Sequence, residues 1–143
     1  MPPSAPSVDI KDMLVEAGVG SFGGSSGWAI FIAEEPPSPD TCITIYDTGG
    51  FDPNPKFLLD FPTIQIRIRG NENGFVEAYN KAQQIKDALL GRDVEVRNTT
   101  RYDGIWMTSD ITYIGTDDRN RPVFVTNWRI AREPDSGTFR VSM

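Results

Sequence analysis

The stretch Pro62–Gly70 reads PTIQIRIRG. Ile64, Ile66 and Ile68 fall on one side of an extended chain; Thr63, Gln65, Arg67 and Arg69 fall on the other. A period of two fits a strand and no helix. A strand with one apolar side belongs to a sheet that has one face on a core and the other wet or shared. Around this strand the rest of the chain can be placed. WAIFIA (Trp28–Ala33) and TCITIY (Thr41–Tyr46) read as strands joined through the turn-rich Glu34–Asp40, which suggests a hairpin. Val94–Val96 reads as a short strand. Tyr102–Gly115, the turn TDDRNR and Pro122–Glu133 read as a meander, with Phe124, Thr126, Trp128 and Ile130 on one face.

Two segments carry helical spacing. In Val8–Ala17, Ile10, Met13, Leu14 and Ala17 form an apolar stripe, Ser7 is placed to cap, and Gly18 ends the run. From about Gly74 to Leu90, Phe75, Tyr79, Ala82, Ile85 and Leu89 share a face, with Asn73 as cap and Gly91 as terminator. Asp47–Phe61 is punctuated by Gly and Pro and reads as a long loop. The expected fold is α+β: a mostly antiparallel β-sheet with two helices packed on one face, in a single domain of 143 residues. Residues 1–6 are expected to be flexible, and 134–143 to be loose or to add a short edge strand.

Composition excludes more than it suggests. The chain contains no histidine, which removes Ser-His-Asp and Cys-His catalysis and histidine-ligated metals. Its one cysteine, Cys42, lies in a strand and reads as a small buried residue. No run approaches the roughly 18 apolar residues of a membrane span, so no membrane is expected as a partner. The N-terminus MPPSAPSVD lacks a signal peptide's basic and apolar regions, which points to synthesis in the cytoplasm. A net charge of −6 argues against a dedicated DNA-binding surface. Acidic residues such as Glu34 and Glu35 lie early, whereas Arg119, Arg121, Arg129, Arg132 and Arg140 lie late, an asymmetry able to align copies head to tail.

Four motifs invite a chemical reading. Gly18, Gly20 and Gly23 fit G-x-G-x-x-G, but they follow a helix and open a strand, the reverse of a dinucleotide loop; Gly18–Gly27 reads as a flexible connector. Asp117, Asp118 and Asn120 lack the alternating ligands and late Glu of a calcium loop and read as a polar hairpin turn. No cofactor or metal site is expected. Asp47-Thr48-Gly49 fits half of an aspartic protease site, which would require a homodimer, and ALLGRD (Ala88–Asp93) echoes that family's later segment. The echo ends a helix instead of leading out of a strand, and Asp-Thr-Gly-Gly is also good turn chemistry. The polar-face arginines Arg67, Arg69 and Arg129, and Arg119 and Arg121 in the turn, read as a solvated sheet face, a subunit interface or a channel lining.

YDTGGFDPNP followed by LLDFPTIQIRIRG, then YNKAQQIKDALLG and YIGTDDRNRPVFVTNWRIAREP, resembles the tail terminator family of long-tailed bacteriophages, often labelled minor capsid protein. The resemblance spans about Val8–Pro134, and Thr116 and Asn120 stand where that family's hairpin often has Arg and Gly. It implies a non-enzymatic virion protein at the head-proximal end of the tail, made in the bacterial host cytoplasm. Such a protein forms a homohexameric ring on the tail tube, ends tube polymerisation, and offers a head-joining surface to a head-completion or connector protein. DNA passes through its channel without sequence-specific binding. On this resemblance Arg67, Arg69, Arg119, Arg121 and Arg129 face neighbours or the channel, and the homodimeric aspartic protease is the alternative.

Overall fold

A computed structural model describes residues 2–25 and 27–143. In chain order the elements are α1 (Pro6–Glu16), β1 (Ser21–Phe22), β2 (Ala29–Ile32), β3 (Cys42–Phe51), β4 (Phe61–Arg69), α2 (Phe75–Leu89), β5 (Glu95–Arg97), β6 (Thr100–Thr116) and β7 (Pro122–Pro134). They build one sheet in the order β1-β2-β3-β4-β7-β6-β5, curled into a half-barrel. The isoleucines of β4 are buried, as their alternation requires, and meet Ile43, Ile45, Phe124, Trp128 and the apolar sides of both helices in a single core.

The sheet is mixed, which corrects the expectation of a mostly antiparallel one. β1, β2 and β3 run parallel to one another; the remaining neighbours are antiparallel. The reason lies in residues 33–41. Instead of closing a hairpin between β2 and β3, this loop carries the chain back so that β3 starts in the direction of β2. Arginines on the sheet hold it there, as described below. A hairpin needs only a short turn, whereas a parallel neighbour needs a crossover, and turn-rich composition does not distinguish the two.

The segment read as a loop after Tyr46 is also partly strand. β3 continues to Phe51, with a register shift between Asp47 and Gly50 where it pairs with β4. Gly50 makes this bulge possible: its φ is 136°, and a Cβ there would lie 2.3 Å from the Phe61 carbonyl oxygen. The Asp-Thr-Gly-Gly run therefore bends a strand and does not turn the chain.

The helix ends differ from the expected ones. α1 begins at Pro6 with Ala5 at its N-cap and no side-chain cap of its own. Its C-terminus closes as a Schellman motif: Gly18 N–H donates to Val15 O and Val19 N–H to Leu14 O, both at 3.0 Å. Val19 is buried and takes the place expected for Ala17, which is exposed. Gly74, and not Asn73, is the N-cap of α2. α2 buries Ala78, Ala82, Ile85 and Leu89, while Phe75 and Tyr79 lie at its rim and pack tilted and edge-on against Phe124 at 5.1 and 5.8 Å between centroids.

Candidate assembly surfaces

Opposite charges from the two ends of the sequence meet inside one chain. Asp9 faces Arg132 at 3.9 Å, Asp60 faces Arg140 at 2.7 Å, Asp40 faces Arg121 at 2.9 Å, and Glu35 faces Arg67 at 2.9 Å and Arg69 at 3.3 Å. The charge asymmetry of the sequence thus closes the molecule on itself. The Asp9 carboxylate is fully buried and accepts hydrogen bonds from the Tyr102 hydroxyl and from Asn98 Nδ2. Burial, together with the adjacent Asp9 charge, pushes the Tyr102 hydroxyl well above its ordinary range.

The five arginines singled out in the sequence fall into two groups. Arg69 is only 2% exposed. Its Nε donates to Asp40 O at 3.0 Å and its Nη2 to Pro39 O at 2.8 Å. Arg121 is also buried, donating from Nη1 to Pro37 O at 2.7 Å and from Nε to Asp117 Oδ2 at 2.8 Å. With Arg67, these two pin residues 33–41 onto the outer sheet face. Arg119 and Arg129 are exposed. Arg119 reaches Pro37 O only at 3.4 Å. Arg129 has no carboxylate within 4.0 Å among the described residues. Its guanidinium carbon lies 4.8 Å from the Phe51 ring centroid and 5.8 Å from those of Phe61 and Trp106. These four side chains cross the uncovered sheet face through neighbouring strands β3, β4, β7 and β6. The cation is held against aromatic faces, leaving its N–H edges free to meet an acceptor.

Asp47 has a structural assignment that the sequence did not suggest. Its carboxylate accepts the Ser7 backbone N–H at 3.0 Å and the Ser7 hydroxyl at 2.6 Å. It thereby supplies, from β3, the cap that Ala5 cannot give to α1, and puts a negative charge at the positive end of the helix. A shallow groove of about 660 Å³ opens beside it, lined in part by Phe51, Asp60, Phe61, Arg132 and Arg140. Both oxygens of Asp47 are already committed within the chain. Asp117 is similarly engaged, accepting the backbone N–H groups of Arg119 and Arg121 at 3.0 Å each. Burial would raise its carboxyl, but those bonds and the Arg121 guanidinium outweigh it and hold the carboxyl below its ordinary value. No cluster of three or more His, Cys, Asp or Glu suited to a metal occurs among the described residues. Cys42 is buried, and burial pushes its thiol up to about 11. No helix among the described residues is long and apolar enough to cross a membrane.

A family model described as bacteriophage tail terminator protein matches residues 13–134. The chain belongs to the bacteriophage tail terminator family. Comparison with curated protein sequences returned no match. Among solved structures, a chain from the virion of a native gene transfer agent particle superposes with a TM-score of 0.64 at 18% identity, covering 90% of this chain and 95% of that one. At that identity the likeness is one of fold. For a tail terminator, a structural tail protein, the features of interest are outward-facing ones: the Arg129 cluster, the Arg119 turn and the outermost long strand. That strand, β6, is the feature the sequence reading passed over. It was legible as a strand, but its place at the rim of the sheet is set by strand order, which local pattern does not encode.

Proposed function

We propose that this tail terminator caps the head-proximal end of a phage-type tail. Copies assemble, six to a ring, on the last ring of the tail tube. The ring stops further addition of tube subunits and presents its other side to a head-completion or connector protein, and DNA passes through the central hole. The work is mechanical, done by shape and self-association, with no covalent chemistry. The protein is made in the bacterial host cytoplasm and ends in the virion. The observation that carries this reading is the family match across residues 13–134; the fold shared with a chain of a gene transfer agent virion supports it.

A closed ring needs two different patches on each subunit, one meeting the other on the neighbour. Of the five arginines, we assign Arg119 and Arg129 to such contacts or to the channel wall, since both are exposed. Arg67, Arg69 and Arg121 serve the ring indirectly, by fixing residues 33–41 in place. The test is electron microscopy of tail tubes polymerising with and without the protein. Capped tubes of arrested length, with a six-fold ring at one end, are expected. Tubes that elongate equally in its presence and carry no ring contradict the reading.

A further inference from the structure

The sheet has one long open rim. β5 pairs with β6 only at Thr100, Arg101 and Tyr102. Among the described residues, β6 from Asp103 to Thr116 therefore has a strand on one side alone. From Trp106 to Thr116 no residue is buried. Natural edge strands are usually short, or carry Lys or Pro that deter pairing. This rim reads DGIWMTSDITYIGT, long, rich in β-formers and free of Lys, Arg and Pro. Register shifts between Met107 and Ser109, Ser109 and Thr112, and Tyr113 and Gly115 break it into short straight runs. Such a rim suits a donor of a few residues and not an indefinite ladder.

The same chain carries one strand-like segment with little to pair with. In Thr138–Met143, Phe139, Val141 and Met143 recur at a period of two and are 94%, 52% and 69% exposed; in the single chain Thr138 and Phe139 form a bend, and they would extend on pairing. Val141 alone is bridged: its N–H donates to Lys56 O, and its carbonyl accepts from Leu58 N–H, both at 2.9 Å. In an extended chain the flanking residues direct their backbone groups the opposite way. Arg140 and Ser142 thus offer the segment's second side outward while the first stays docked on its own chain.

We propose that residues 138–143 of one copy add a strand along the open β6 edge, residues 103–116, of a second copy. The proposal rests on the ring reading above and gives it a contact. Donor and acceptor are different patches, so the association runs head to tail and can close. Backbone hydrogen bonds supply the pairing. Phe139 anchors it against an exposed apolar side chain of the rim such as Trp106.

Two populations, each with one introduced cysteine, test this, because Cys42 is buried and its thiol is pushed up to about 11. One carries Ser142→Cys, which leaves Phe139 in place; the other carries Thr108→Cys or Thr112→Cys, all exposed positions. They are treated with a short bis-maleimide separately and mixed, in concentrated solution and on tail tubes. The mixture is expected to give roughly tenfold more covalent heterodimer than either population gives homodimer. In parallel, Phe139→Asp on the full chain should weaken self-association about tenfold or more while leaving its unfolding transition unchanged. Rings that form normally with Phe139→Asp and show no excess heterodimer overturn the strand exchange and leave the ring reading standing. Excess heterodimer in open chains that never close supports the strand exchange and contradicts the ring. No heterodimer and no ring in either setting overturns both.

Discussion

The loop at residues 33–41 and the β6 rim are both irregular margins of one sheet, yet they are finished in opposite ways. At the loop, two of the three carboxylates are answered from within the chain, Glu35 by Arg67 and Arg69 and Asp40 by Arg121, and the backbone carbonyls of Pro37 and Pro39 by buried guanidinium groups. At the rim, backbone and apolar side chains face solvent, and the nearby Arg129 rests on aromatic rings with no carboxylate within 4.0 Å among the described residues. A buried arginine with its hydrogen bonds filled contributes to the fold. An exposed arginine with free donors, beside an unpaired strand, has capacity left for another molecule. The first region explains how a chain with a parallel crossover holds together; the second is where, in the proposed ring, copies would meet.

That contrast can be broken by substitution, and the largest effect belongs to the closed side. Arg69→Met should cost about 3 kcal/mol in chemical denaturation, because Glu35 and two loop carbonyls lose a buried partner. A cost below about 1 kcal/mol would mean the loop is held by something else. Asp47→Ala removes the cap that β3 lends to α1 and should cost about 1 kcal/mol. Were Asp47 a protease residue, the same variant would abolish peptide cleavage and leave stability untouched.

Arg129→Met should do the reverse of Arg69→Met. Its stability cost should stay below about 1 kcal/mol, as for an exposed cation on aromatic rings, while ring formation on tubes is lost. A variant that unfolds readily but assembles would invert the comparison. The smallest expected effect is a pH signature. Asp117 is held below its ordinary value in the folded chain, so its stabilising contribution is complete above about pH 4, near the unfolded carboxyl pKa, and is lost as pH falls through the lower folded value. Asp117→Asn should flatten that acid limb slightly; an unchanged limb would show that the turn does not depend on its carboxylate.

The parts of this structure that were legible in the sequence are those written in local periodicity. The alternation of Ile64, Ile66 and Ile68 gave the central strand and its buried face, and Gly18 marked a helix end that is closed as a left-handed cap. What escaped were relations between distant residues. Ser7 looked like a cap because Ser caps helices; instead it donates to Asp47, forty residues later in sequence. Arg67 and Arg69 sat on a polar strand face, which says nothing of whether a loop will fold back over them. Glu35 decides that, and the pairing is visible only once the crossover is known. The rim of β6 escaped for the same reason, since being last in a sheet is a property of topology and not of a stretch of sequence.

Hydrogen exchange on the free chain and on the chain assembled at tube ends compares the two regions in one experiment. The outward-facing backbone amides of residues 103–116 should exchange quickly in the free protein and become protected on assembly, while exchange at the few amides of residues 33–41 stays the same in both. Protection appearing at 33–41 with 103–116 left unchanged would contradict the division between a closed side that serves the fold and an open side that serves assembly.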